Sequence, residues 1–171
     1  VLDLSRLARH TLAPPHELVQ WLSPGEVYIT GEPQSFVELS SGKRLMVLAQ
    51  REGACAHLAA DNRCQVYPAR PLDCRAYPFD FTLEPDGKRR LGLLALEACA
   101  FASDGSQDLA ALERTEAART LELEQHRTLV ARWNRLAWHR RRLGQRVGSE
   151  ADFLRFALTL ADGERGDRAE P

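Results

Sequence analysis

The sequence has no apolar run long enough to span a bilayer, and its N-terminus, VLDLSRLARH, has no apolar signal-peptide centre. The cytoplasm is therefore the expected location, with no membrane partner. A dominant charge is also missing. The 171 residues carry 23 Lys and Arg against 24 Asp and Glu, a formal net charge of -1, so no overall field steers the chain toward nucleic acid or an anionic surface. Any polyanion site would have to be local. There is no Gly-rich phosphate loop, no Gly-x-Ser-x-Gly elbow, no His-Glu-x-x-His and no internal repeat, which leaves few candidates for catalysis. Cys-x-x-Cys, the spacing that makes many structural zinc sites legible, is absent too. The composition, 44% hydrophobic and 27% charged, suits a soluble globular domain with a helical appendage that needs no covalent staple.

The patterning predicts an α+β fold: short N-terminal helices, small antiparallel hairpins around an irregular cysteine-ligated loop, and a helical C-terminal part. Leu4, Leu7 and Ala8 fall at helical spacing in residues 3–11. In APPHELVQWL, Pro15 suits a first helical turn and Leu18, Trp21 and Leu22 share a face, which predicts a second short helix. VYIT, SFVEL and RLMVLAQ read as strands, with Ser40-Ser41-Gly42-Lys43 as a turn between the last two. A second hairpin is expected in FDFTLEPDGKRRLGLLAL around Pro85-Asp86-Gly87, delivering Cys99 near its end. Leu129, Trp133, Leu136 and Leu143 lie near one stripe of a helix over about 118–143, stopped by Gly144 and Gly148. Ser149 and Asp152 read as the cap of a last helix, and GERGDRAEP reads as a disordered tail. The expected division is a cysteine domain over 1–105, a helical extension packed on it over 106–162, and the tail over 163–171.

Cys55, Cys64, Cys74 and Cys99 all fall within 45 consecutive positions. In a cytoplasmic protein such clustering points to metal ligation or reactive chemistry rather than a disulfide framework. Between Cys55 and Phe79 neither helical nor strand periodicity holds, and the prolines restrict Tyr67, Arg70 and Tyr77 to extended or turning backbone. The segment needs something to hold it. Four converging thiolates satisfy a tetrahedral zinc or a cubane iron–sulfur cluster. Either leaves about two net negative charges, which calls for nearby cations or donors; Arg63, Arg70 and Arg75 are the candidates in sequence. The bland alternatives are that each cysteine packs as a small hydrophobe, that Arg70 is a solvated turn residue, and that Tyr77 and Phe79 are apolar anchors of the loop. His57 could replace a thiolate, although a His beside an exposed loop is more often solvated.

Residues 131–146, ARWNRLAWHRRRLGQR, interleave arginines with Trp133 and Trp138, a pattern that could combine phosphate contact with stacking. The stronger reading is a solvated helix end: Asp108, Glu113, Glu116, Glu122 and Glu124 precede, and arginine gathers where the helix dipole favours it.

The stretch CAHLAADNRCQVYPARPLDCRAYPF resembles the YkgJ-type cysteine-cluster family of zinc- or iron-chelating proteins. The resemblance rests on Cys55 with Leu58, Cys64 with Tyr67, then Arg70, Pro71, Cys74, Arg75, Pro78 and Phe79, followed by Cys99. It extends over roughly residues 1–100. Family members usually open with a Cys-x-x-Cys-x-x-Cys-Cys-like group, and this chain has no cysteine before Cys55 and begins with Val. An upstream segment is therefore expected.

The resemblance implies a metal-binding protein with zinc or an iron–sulfur cluster on Cys55, Cys64, Cys74 and Cys99, and with Arg70 and Arg75 beside it. Whether the chain is an enzyme stays open. The alternatives are an iron–sulfur oxidoreductase or a fragment related to flagellin lysine-N-methylases, although no methyl-donor site is evident, and a zinc-stabilised interaction module. In the last, the 118–146 helix would dock a protein partner.

Overall fold

The computed structural model describes residues 2–27, 35–84, 89–93 and 108–166. Its architecture is α+β: an N-terminal helix, small antiparallel sheets and two C-terminal helices. Helix α1 spans Leu2–Thr11 and buries Leu4 and Leu7, as the spacing predicts. The second helix expected at APPHELVQWL does not form. Pro15–Glu17 makes a single 3-10 turn, and Val19–Leu22 is strand β1. The short apolar run there satisfies both periods, since 18, 21 and 22 share a helical face while 19 and 21 share a strand face. The neighbouring strand decides between them: β1 pairs with strand β3 (Gly42–Leu48), setting Val19 opposite Leu48 and Trp21 opposite Met46.

Strand β2 (Val37–Leu39) and strand β3 (Gly42–Leu48) form the predicted hairpin, turning at Ser40-Ser41. Gly42 sits there at φ 100°, a conformation a side chain would strain. The sheet order is β1-β3-β2. The strand expected at VYIT falls on residues 27–30, of which 28–30 lie outside the described residues. Strands β4 (Gln50–Arg51) and β5 (Ala54–Cys55) form a smaller hairpin, and β6 (Phe79–Leu83) pairs with β7 (Arg89–Leu93) in the second predicted hairpin.

Helix α2 covers Leu72–Ala76, α3 Leu109–Arg142 and α4 Glu150–Gly166. Helix α3 starts about nine residues earlier than its apolar stripe suggested, where Asp108 accepts a hydrogen bond from the Ala111 N–H at 3.0 Å. It ends at Gly144, φ 66°. Its buried face is Val130, Trp133 and Ala137, not the expected Leu136 and Leu143, which are 46% and 72% exposed. Small and flat residues let α3 approach the sheet closely; the leucines are left on the rim. The Ser149–Asp152 cap of α4 is present, with the Ser149 N–H donating to Asp152 at 2.9 Å. Helix α4 runs on to Gly166, so the first part of the expected disordered tail is helical; residues 167–171 lie outside the described set.

Two apolar clusters result. One joins Leu4 and Leu7 of α1 to Leu18, Val19, Val66, Ala69 and Leu154; the other joins Val37 and Leu39 to Val130, Trp133, Phe153 and Ala157. Trp21 and Met46 pack against both. Phe153 is fully buried, with Trp21 and Trp133 meeting it edge-on at 5.8 and 5.4 Å between ring centres.

Helix α3 also seals the outer edge of β2. Asn134 Oδ1 accepts from the Glu38 N–H at 2.8 Å, its Nδ2 donates to the Phe36 carbonyl at 2.8 Å, and the Trp133 indole N–H donates to the Glu38 carbonyl at 2.8 Å. An edge strand thereby finds in side chains the partners a neighbouring strand would supply. Asn134→Leu keeps the volume and orphans both groups, so urea unfolding should show a loss of about 2–4 kcal/mol. An unchanged midpoint would show that the edge is not held by Asn134.

His126, on α3, lines a cavity of about 270 Å³ with Leu2, Leu129 and Leu160. Burial brings its pKa down from 6.5 to about 4, with the Arg127 charge acting the same way. Because the unfolded chain binds this proton and the folded chain does not, stability is full above pH 6.5 and falls as pH drops toward 4. The expected loss is at most about 3 kcal/mol, and His126→Gln should flatten this arm of a stability-versus-pH profile measured by urea titration.

Candidate metal centre

The segment 50–79 is assembled from turns. Glu52 and Gly53, at φ 51° and 79°, make a two-residue left-handed turn between β4 and β5, which sets Cys55 opposite Gln50. The chain then doubles back. Leu58 bridges Cys64, the Gln65 N–H donates to the His57 carbonyl at 2.9 Å, and the Ala59 N–H donates to the Arg63 carbonyl at 2.9 Å. Asn62, at φ 62°, occupies the tip. A 3-10 turn over Tyr67–Ala69 leads to α2, whose third residue is Cys74. Val66, Ala69, Ala76 and Pro78 are the buried side chains of this loop.

Ties from outside compensate for so little apolar burial. Asp3 of α1 accepts from the Leu72 N–H at 2.8 Å, capping α2 from a position 69 residues away. The same carboxylate meets Arg6, whose Nη2 donates to the Arg70 carbonyl at 3.0 Å. The Asp3 N–H donates to Glu122 of α3 at 2.8 Å, and Arg119 of α3 pairs with Asp73 at 3.5 Å. Burial raises the Asp3 carboxyl above its ordinary value even though the Leu72 bond favours its charge.

Cys55, Cys64 and Cys74 are free, half-buried thiols, and Cys64 packs on the α1 cluster. Burial pushes the Cys74 thiol up, and charge on Cys55, Asp73 and Cys64 pushes it further; Arg70 opposes them. Cys74 thus lies within electrostatic reach of both Cys55 and Cys64. They do not close into a coordination sphere: among the described residues no three His, Cys, Asp or Glu side chains are gathered tightly enough to hold a metal ion. Of the two observations, electrostatic reach is a weaker requirement than ligand geometry, so it establishes proximity and no more. Cys99 lies outside the described residues.

The arginines take different roles. Arg75 donates from Nε to the Arg70 carbonyl at 2.8 Å and from Nη2 to the Pro68 carbonyl at 2.9 Å, so it stitches the loop. Arg63 is 88% exposed and pairs with Asp61 at 3.6 Å. Arg70 lies 3.7 Å over the Tyr67 ring and donates from Nη1 to the Cys74 carbonyl at 3.5 Å. Among the described residues its buried Nε has no hydrogen-bond partner, and neither has the buried Nε2 of His57. Burial lowers the His57 pKa, with Arg51 adding to the effect, which favours the neutral ring. Unsatisfied polar nitrogens on the thiol-bearing loop are what a site for a thiolate-bound metal should leave behind. In donor chemistry, though not in arrangement among the described residues, the loop suits such a group. Tyr77, expected as an apolar anchor, is 47% exposed; the neighbouring Pro78 is buried and takes that place.

A small α+β protein that presents spaced thiols from a tied-down irregular loop is the class these features define. Residues 22–100 match the family model named CxxCxxCC, described as "Putative zinc- or iron-chelating domain", the YkgJ-type family that the cysteine segment resembles. No curated protein and no solved structure matches the chain. The match leaves out α1, which the sequence resemblance had included, although α1 caps the Cys74 helix. Asp3 and Arg6 carried no local signal in the sequence.

Asp3→Ala removes the acceptor for the Leu72 N–H and should cost about 1–2 kcal/mol in urea unfolding, with faster maleimide labelling of Cys74 than of Cys55. Asp3→Asn keeps an acceptor and should recover most of both. Labelling rates that stay equal would separate α1 from the placement of Cys74.

Proposed function

We propose that this chain binds zinc or an iron–sulfur cluster through Cys55, Cys64, Cys74 and Cys99. The observation that carries the reading is that Cys55 and Cys64, from separate turns of one poorly buried loop, lie within electrostatic reach of Cys74, in a segment that matches a chelating domain. Thiolates in one another's field repel, and a bound cation removes that repulsion while its binding energy becomes folding energy for the loop. Cys99, 25 residues beyond Cys74 and within the matched segment, would supply the fourth thiolate. Arg70 would offset the residual negative charge from the side of Cys74, and Arg75 would hold the Arg70 and Pro68 carbonyls in place. Tetrahedral zinc and a four-thiolate cluster ask for the same donors, so this site accommodates either.

Metal and acid-labile sulfide analysis with a visible spectrum, on anaerobically purified protein, tests the proposal. Zinc in a colourless protein, or iron with sulfide and visible absorbance, is the expected outcome. Cys64→Ser should weaken metal retention against a chelator by at least about tenfold. Protein free of both metals, or a Cys64→Ser variant that holds metal as tightly as the wild type, contradicts it.

A further inference from the structure

We propose that the trough between α3 and α4 is a docking site for an acidic amphipathic helix of a partner protein. The trough has a volume of about 600 Å³, with Trp133, Leu136 and Phe156 among its apolar walls and Arg140, Arg146 and Arg155 among its polar ones. Leu136 is 46% exposed, so an apolar side chain is left uncovered in a trough that Arg140, Arg146 and Arg155 also line. Asp152, the acidic residue in the lining, already accepts from the Ser149 N–H and hydroxyl at 2.9 Å and pairs with Arg155 at 3.2 Å. No ion pair engages Arg140 or Arg146 among the described residues. Asp152 also feels the Arg146 charge, so one carboxylate faces Arg140, Arg146 and Arg155, and the net charge of the lining is positive beside apolar side chains.

That combination selects the occupant. A helix laid between two helices offers apolar side chains at i, i+3, i+4 and i+7 to the floor and acidic ones to the flanks. Helix α4 has 17 residues, about 25 Å of axis, which matches a partner helix of three to four turns. Nucleic acid is the alternative polyanion, and the basic run at 131–146 is not laid out for it. Trp133 is 5% exposed with its N–H committed to the Glu38 carbonyl, so it cannot stack on a base. Arg141 turns to Glu38 at 3.4 Å, and Arg142 lies 4.9 Å over the Trp138 ring. The arginines point to separate places instead of forming one phosphate-tracking stripe.

The test is selection of a displayed random library of about 16-residue peptides on the folded full chain, followed by affinity measurements on the enriched peptides. Enriched sequences should be acidic with helical apolar spacing. Their affinity should fall at least about tenfold on Arg140→Glu/Arg146→Glu and on Leu136→Glu, and hold on Arg132→Glu, an exposed position on the same helix outside the trough. These are surface positions, and circular dichroism checks that the variants stay folded. Absence of enrichment, peptides without acidic residues, or indifference to the charge reversal overturns the proposal. Equal affinity for a random single-stranded oligonucleotide, lost on the same reversal, would reassign the trough to nucleic acid and overturn it too.

Discussion

Backbone polar groups must be paired wherever they are buried, and the loop from Cys55 to Phe79 has almost no ladder with which to pair them. Its order is imposed from outside. Asp3 closes the start of α2, Arg6 takes the Arg70 carbonyl and Arg119 of the long helix pairs with Asp73, while from within the loop Arg75 takes two further carbonyls. The apolar share is confined to Val66, Ala69, Ala76 and Pro78. What those ties leave is a Cys74 thiol whose ionisation burial and the neighbouring Cys55, Asp73 and Cys64 disfavour, and nitrogens of His57 and Arg70 that have no partner among the described residues. A bound cation would favour the thiolate form, and the charge left on its ligands would offer acceptors to the nitrogens.

The scaffold around the loop has its own centre in Trp133. It packs edge-on against Phe153, closes the open side of β2 through its indole N–H, and approaches Gly148 so closely that a β-carbon there would lie 2.6 Å from its ring. One side chain thus joins the sheet, α3 and α4. The same ring contributes to the trough on the far side, so the element that stabilises the helical part also shapes its exposed apolar surface.

The hairpin at Ser40-Ser41, the β6–β7 pairing and the Ser149 cap were legible because each is set by residues close in sequence. The segment VQWL was not, because its few apolar residues fit two periods and only pairing with β3 chooses. The stripe on α3 was displaced toward Leu136 and Leu143 because hydrophobicity marks leucine, whereas closeness to the sheet selects Val130 and Ala137. In the site, the order and spacing of the cysteines located the loop and its family. The work of Arg75 on carbonyls, the seal by Asn134 and the cap by Asp3 depend on partners 5 to 98 residues away, and no local pattern encodes them.

The central claim is that the cysteines act together as ligands. Alkylation of metal-loaded protein, read cysteine by cysteine by mass spectrometry before and after addition of a chelator, tests it most directly. Cys55, Cys64, Cys74 and Cys99 should be protected as a group and become reactive together once the metal is removed. Thiols that react at the rate of the unfolded chain while metal remains bound would contradict it.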